Sequence, residues 1–139
     1  MTKDRKSVKG SCLCGAVAYE VEARLKRFYF CHCAQCRKLT GSAFAANIQA
    51  EPAAVTWLRG ADEIRRYDYE GEGSYSRVFC KKCASPLPFL NEGGNTLYIP
   101  AGSVDGDLGL LPDLNIFWAD RADWYEQGAG SPNCERFPD

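Results

Sequence analysis

A mainly β domain is what this sequence predicts, on three observations. Short apolar segments with two-residue alternation recur at roughly 12-residue intervals, bounded by glycine, proline and asparagine. No segment longer than about two turns carries the 3.6-residue periodicity of an amphipathic helix. No internal repeat or shift of composition divides the chain, so residues 1–139 read as one domain, large enough to bury a core.

Each element follows from its residues. Val8 to Glu22 reads as a turn at Cys12, Cys14 and Gly15, then a strand in which Val17, Tyr19 and Val21 alternate with Ala18 and Glu20. Arg24 to Phe30 is the next strand, with Phe28 and Phe30 on one face. Ala34 to Leu39 suits a short helical turn stopped by Thr40-Gly41, and Ala43 to Ile48 is a buried strand. Pro52 interrupts the pattern, and Val55 to Leu58 resumes it.

After a turn at Arg59 to Asp62, Ile64 to Tyr69 is a weaker strand, and Glu70 to Gly73 is a loop by composition. Tyr75 to Phe79 is a strand leading into Cys80-Lys81-Lys82-Cys83. Leu87 to Leu90 and Thr96 to Ile99 form two strands joined through the turn formers Asn91 to Asn95. Leu114 to Trp118 is the last strand, with Trp124-Tyr125 packing near the end. The core covers about residues 10–126, and 127–139 read as a tail.

Composition excludes several classes of function. Hydrophobic content of 45% and charged content of 25% are those of a soluble globular protein. A formal charge of -1 gives no basis for a nucleic-acid partner. The polar stretch Met1 to Ser7 is followed by no signal-peptide core, and no apolar run is long enough to span a bilayer. The expectation is a cytoplasmic protein without a membrane partner, in which clustered cysteines bind metal or do chemistry rather than form disulfides.

Seven of the eight cysteines are clustered: Cys12 with Cys14, Cys31 with Cys33 and Cys36, and Cys80 with Cys83. Only Cys134 stands apart. Zinc takes four ligands in a tetrahedron, and such spacings let one turn of backbone supply two or three. Two pairs make a closed structural site, whereas the triplet leaves one position open, as catalytic zinc sites do. Joining the outer pairs closes a loop of roughly 65 residues, and zinc binding exceeds the entropy of that closure. Spacing alone also allows a swap, such as Cys12 and Cys14 with Cys31 and Cys33, or a second structural site completed by His32, Cys134 or water.

His32 is the single histidine and lies between Cys31 and Cys33, where an extended backbone points it away from them. The fourth cysteine and the spacings of a [4Fe–4S] site are missing. Serine-triad and phosphate-loop patterns are absent as well. Arg37 and Lys38 follow the triplet directly and are placed to hold a carboxylate beside a metal; adjacent basic residues are also common on a solvated face.

These motifs resemble the glutathione-dependent formaldehyde-activating enzyme family. The resemblance lies in Gly10-Ser11-Cys12-Leu13-Cys14-Gly15, in Cys31 to Lys38 with Gly41-Ser42-Ala43-Phe44, in Phe79 to Leu87, and in Pro100-Ala101-Gly102-Ser103. Ile116-Phe117-Trp118 and Trp124-Tyr125 extend it to about Glu126. The resemblance implies a tent-like β fold with two zinc ions per chain. It gives the structural ion to Cys12, Cys14, Cys80 and Cys83, and the second ion to Cys31, Cys33 and Cys36. It implies a carbon–sulfur lyase-type activity that adds glutathione, or a related thiol, to formaldehyde or another small aldehyde, giving S-hydroxymethylglutathione.

On that reading Arg37, Lys38 and Ser42 are the expected lining of a thiol pocket at the triplet. The competing class is a zinc-stapled module, or a glutathione carrier without catalysis; a module would have a sealed triplet and an exposed apolar patch elsewhere. One position departs from the pattern of the family it resembles, in which glycine is usual where this chain has Ala84.

Overall fold

In the computed structural model residues 5–138 are described; the expected polar N-terminus begins, and the expected tail ends, outside them. Among the described residues the fold is mainly β, with two curled sheets and two short helices. The larger sheet is organised by β2 (Ala18–Cys31), a strand of 14 residues. Its first half pairs antiparallel with β1 (Arg5–Ser11) and with β4 (Thr56–Arg59). Its second half pairs antiparallel with β3 (Ala45–Ala50) and parallel with β10 (Leu114–Ile116). Beyond β3 the sheet continues through β9 (Leu97–Pro100) to β8 (Phe89–Leu90).

β2 replaces the two strands expected between Val17 and Phe30, and the reason is a bulge. Leu25 faces Ala50 and Arg27 faces Gln49, so Lys26 is an extra residue without a partner of its own. An inserted residue inverts which face every later side chain occupies. Before Lys26 the odd positions Tyr19, Val21, Ala23 and Leu25 belong to the main core. After it the core takes the even positions Phe28 and Phe30. Tyr29 and Cys31 join a second cluster with Cys33, Cys36 and Ala45. The alternation changes phase in mid-strand, so it reads as two segments.

β1 was also missed from Arg5 onward, because its lysines and serines leave only Val8 and Gly10 buried. Gly10 faces Tyr19, and a Cβ there would fall 2.3 Å from the Tyr19 hydroxyl, so this crossing needs glycine.

The smaller sheet is β5 (Ile64–Asp68), β6 (Ser76–Cys80) and β7 (Pro86–Leu87). The expected single strand Leu87 to Leu90 is divided: β7 pairs with β6, while β8 pairs with β9 in the larger sheet. Pro88, fully buried between them, lacks the N–H a continuous ladder needs, and the chain changes sheets there. The strand expected at Leu114 to Trp118 ends at Ile116, because Phe117 turns left-handed (φ 53°) and a 3-10 turn, Trp118–Asp120, follows. The helices are α1 (Ala34–Thr40), where a helical turn was expected, and α2 (Tyr125–Ala129). Among the described residues no helix is long and apolar enough to cross a membrane.

Candidate metal centres and the cavity beside them

The outer cysteine pairs meet. Cys12 and Cys14 sit in the turn that ends β1, Cys80 closes β6, and Cys83 follows one turn later. The Cys12–Cys14 turn is tight rather than extended: the Gly15 N–H donates to the Cys12 carbonyl at 3.1 Å, and Gly15 is left-handed (φ 81°). The four Sγ atoms lie within 4.8 Å of one another. Two of the separations are 3.7 Å (Cys12–Cys14) and 3.9 Å (Cys14–Cys80). A tetrahedral ion with sulfur ligands at about 2.3 Å needs edges of about 3.8 Å, so the donor set fits zinc in type and size.

Backbone and hydroxyl donors support these sulfurs as anions. The Val17 N–H donates to Cys12 Sγ at 3.3 Å, and the Lys82 N–H to Cys80 Sγ at 3.4 Å. The Ser85 hydroxyl is 3.2 Å from Cys83 Sγ and accepts the Leu13 N–H at 3.0 Å, binding the two halves of the site together. That hydroxyl, with backbone N–H groups beside it, lowers the Cys83 thiol to about 5.

The triplet is assembled by the end of β2 and the start of α1. Cys31 is the last residue of β2, Cys33 is the N-cap of α1, and Cys36 lies within the helix. All three are buried and their sulfurs lie within 4.8 Å of one another, with Cys31 and Cys33 at 3.5 Å. The Cys36 N–H donates to Cys33 Sγ at 3.4 Å, and Cys33 Sγ is 3.7 Å from the Tyr75 hydroxyl. A hydrogen bond from Cys36 lowers the Cys31 thiol to about 6, and the same bond, with burial, drives Cys36 the other way. Three soft donors with one position left for another ligand suit a thiophilic ion with an open site.

His32 points away from both sulfurs, as its place between them requires. It is fully buried, its Nε2 lies 2.8 Å from Asn115 Oδ1, and the rings of Tyr125, Trp118 and Phe44 surround it at 4.8, 5.1 and 5.4 Å. The histidine thus anchors the C-terminal segment against the back of the triplet. Cys134 is exposed and belongs to neither cluster.

A cavity of about 920 Å³ reaches both centres. Cys12, Cys31 and Cys36 are all in its lining. Tyr29, Asn47, Gln49 and Tyr98 line it from the larger sheet, and Tyr75 and Arg77 from β6 and the loop before it. Arg37, Lys38 and Ser42 are not in this lining. Lys38 borders a separate recess of about 360 Å³ with Tyr67, Tyr69 and Tyr75, while Arg37 is half-buried and Ser42 exposed on the turn after α1. The basic side chains that do line the cavity are Arg27 and Arg77. A signal for Arg27 and Tyr29 existed in the sequence, since they lie four and two residues before Cys31 on one strand.

The sequence profile of the glutathione-dependent formaldehyde-activating enzymes matches residues 7–120. The chain belongs to this family. A Halomonas elongata protein, provisionally named as a glutathione-dependent formaldehyde-activating enzyme, is 32% identical over 126 residues, covering 86% of this chain and 80% of its own. An uncharacterised lyase of Schizosaccharomyces pombe is 26% identical over 119 residues, covering 85% and 83%. A crystal structure of a Rhodobacter sphaeroides protein aligns with a TM-score of 0.56 at 25% identity, covering 75% of this chain and 97% of that one. The matched residues span every cysteine of the two clusters.

Proposed function

We propose that the chain holds two zinc ions, a structural one at Cys12, Cys14, Cys80 and Cys83 and a second at Cys31, Cys33 and Cys36, and that it adds glutathione or a related thiol to formaldehyde. The observation that carries this reading is that Cys31 and Cys36, though buried, face a cavity large enough for a peptide-sized thiol. A zinc-stapled interaction module would have a sealed triplet.

When bound there, zinc supplies a Lewis acid that favours the thiolate form of a thiol. The chain's own residues do the rest. The cavity walls Tyr29, Tyr98 and Phe89 exclude water around the thiol and hold it in one orientation. The ligand's sulfur attacks the aldehyde carbon, forming the carbon–sulfur bond, and the carbonyl π pair moves to oxygen. That oxygen takes up one proton, the equivalent of the one the thiol gave up, so atoms and charge balance. The Tyr75 hydroxyl, against Cys33 and in the same lining, is the donor placed to hydrogen-bond the oxygen as it becomes negative.

Titration of zinc-loaded protein with glutathione and with S-methylglutathione tests this reading. Capture through sulfur requires a free thiol, so the methylated ligand should bind at least 10-fold more weakly, about the 1.4 kcal/mol of one tenfold step. Equal affinity would refute capture at the triplet, and no binding of either ligand would favour the module.

A further inference from the structure

The inversion at Lys26 gives the cavity a floor with a repeating pattern. From the triplet backwards along β2, the residues turned to this face are Cys31, Tyr29 and Arg27, and all three line the cavity. Across the sheet, Arg27 faces Gln49, Gln49 faces Tyr98, and Tyr98 faces Phe89, again all lining residues. One row therefore starts at the metal-binding sulfurs and ends at a guanidinium. At about 3.3 Å per residue the four steps from Cys31 to Arg27 span about 13 Å of strand.

Arg27 is the uncommitted charge of this lining. Arg77 spends its guanidinium on the Leu39 and Ala84 carbonyls. Asp105, the acidic residue of the lining, accepts from the Ser11 hydroxyl at 2.8 Å. Arg27 is exposed, and among the described residues its side chain has neither an ion pair nor a hydrogen bond. A cation at the far end of a cavity whose near end takes sulfur suits a ligand with a thiol at one place and a carboxylate several bonds away.

We propose that Arg27, with Gln49 beside it, forms a carboxylate subsite that makes the cavity select peptide-like anionic thiols over small neutral ones. This rests on the reading that the triplet takes a thiol, and it places the specificity on β2 rather than on Arg37 and Lys38.

The test uses zinc-loaded wild-type protein and Arg27→Ala, titrated with glutathione, glutathione diethyl ester, S-methylglutathione and 2-mercaptoethanol, with a thermal melt confirming that both are folded. Esterification should weaken binding to the wild type about 10-fold, the scale of one charge-assisted hydrogen bond. Arg27→Ala should lose about the same for glutathione, show no preference between acid and ester, and bind 2-mercaptoethanol as the wild type does. Unchanged glutathione affinity in the variant would overturn the proposal, as would an equal loss for ester and acid. Arg27→Lys should restore part of the affinity; no gain over alanine would also count against it. Failure of the thiol reading looks different. S-methylglutathione would then match glutathione on the wild type, and a loss of both on Arg27→Ala would still sustain the carboxylate subsite. No binding of any ligand would overturn both.

Discussion

Arg77 donates to the Leu39 carbonyl, in the last turn of the helix that carries Cys36. Its other terminal nitrogen donates to the Ala84 carbonyl at 3.1 Å, one residue after Cys83. One half-buried guanidinium therefore ties the two cysteine clusters together. The Leu39 carbonyl is an end-of-helix acceptor with no intrahelical donor, so the cation meets it at the negative end of the helix. Arg77→Met should lower stability by about 1–3 kcal/mol, because two carbonyls lose a charged donor. It should also speed loss of metal from the triplet under chelation. Thermal melts together with time-resolved metal release check this; unchanged release would mean that the tie does not connect the clusters.

Ala84 is left-handed, with φ 64°, a backbone region that glycine enters without steric cost. Its N–H donates to the Cys80 carbonyl at 2.7 Å, closing the turn that aims Cys83. An L side chain in this region costs about 1–2 kcal/mol, and glycine removes that strain at a small entropic cost in the unfolded chain. Ala84→Gly is expected to raise stability by about 1 kcal/mol in chemical denaturation. A loss of stability would show that the surrounding loop already relieves the strain.

Tyr19 makes stability depend on alkaline pH. Burial pushes its hydroxyl up to about 12, against the ordinary value near 10. The Ser103 hydroxyl donates to the Pro100 carbonyl, so Tyr19 is the donor in its 2.7 Å bond to Ser103. The folded state binds this proton more tightly than the unfolded state. The contribution is complete below about pH 10 and is lost as pH rises through about 12. Tyr19→Phe should cost about 1 kcal/mol at neutral pH and flatten the decline above pH 10. Denaturant midpoints measured across that range decide it, and an unchanged alkaline slope would assign the decline to other groups.

The two clusters should differ in what they hold together. Cys80 is fully buried in the main core, and its site joins the end of β1 to the end of β6. Cys80→Ser should therefore destabilise the whole domain, whereas Cys33→Ser opens only the junction of β2 and α1 and should leave it folded. Equal losses in thermal melts would contradict the division of roles. Metal analysis during mild chelation should show the triplet emptying first.

The parts of this fold that sequence reveals are those fixed by local chemistry. Cysteine spacing indicated both clusters, Thr40-Gly41 marked the end of α1, and alternation found most strands. Lys26 hid the continuity of β2, because a bulge is defined by the partner strand and leaves no local signature of its own. The division at Pro88 depends on which sheet each flanking pair joins, which is a long-range choice. The cavity lining was least legible for the same reason: Arg27 and Arg77 come from different sheets, while Arg37 and Lys38 drew attention only by adjacency to the triplet.

In the function proposed, the triplet and its cavity promote addition of a thiol to formaldehyde, a reaction that also proceeds unaided in water. The direct measurement is the rate of S-hydroxymethylglutathione formation at equilibrium, by exchange spectroscopy, with zinc-loaded wild type, Cys33→Ser and Tyr75→Phe. Exchange above the uncatalysed rate is expected with the wild type, none above it with Cys33→Ser, and a reduction of about 10-fold or more with Tyr75→Phe at unchanged glutathione affinity. Wild-type exchange no faster than buffer, with two zinc ions bound and glutathione at saturation, would contradict it.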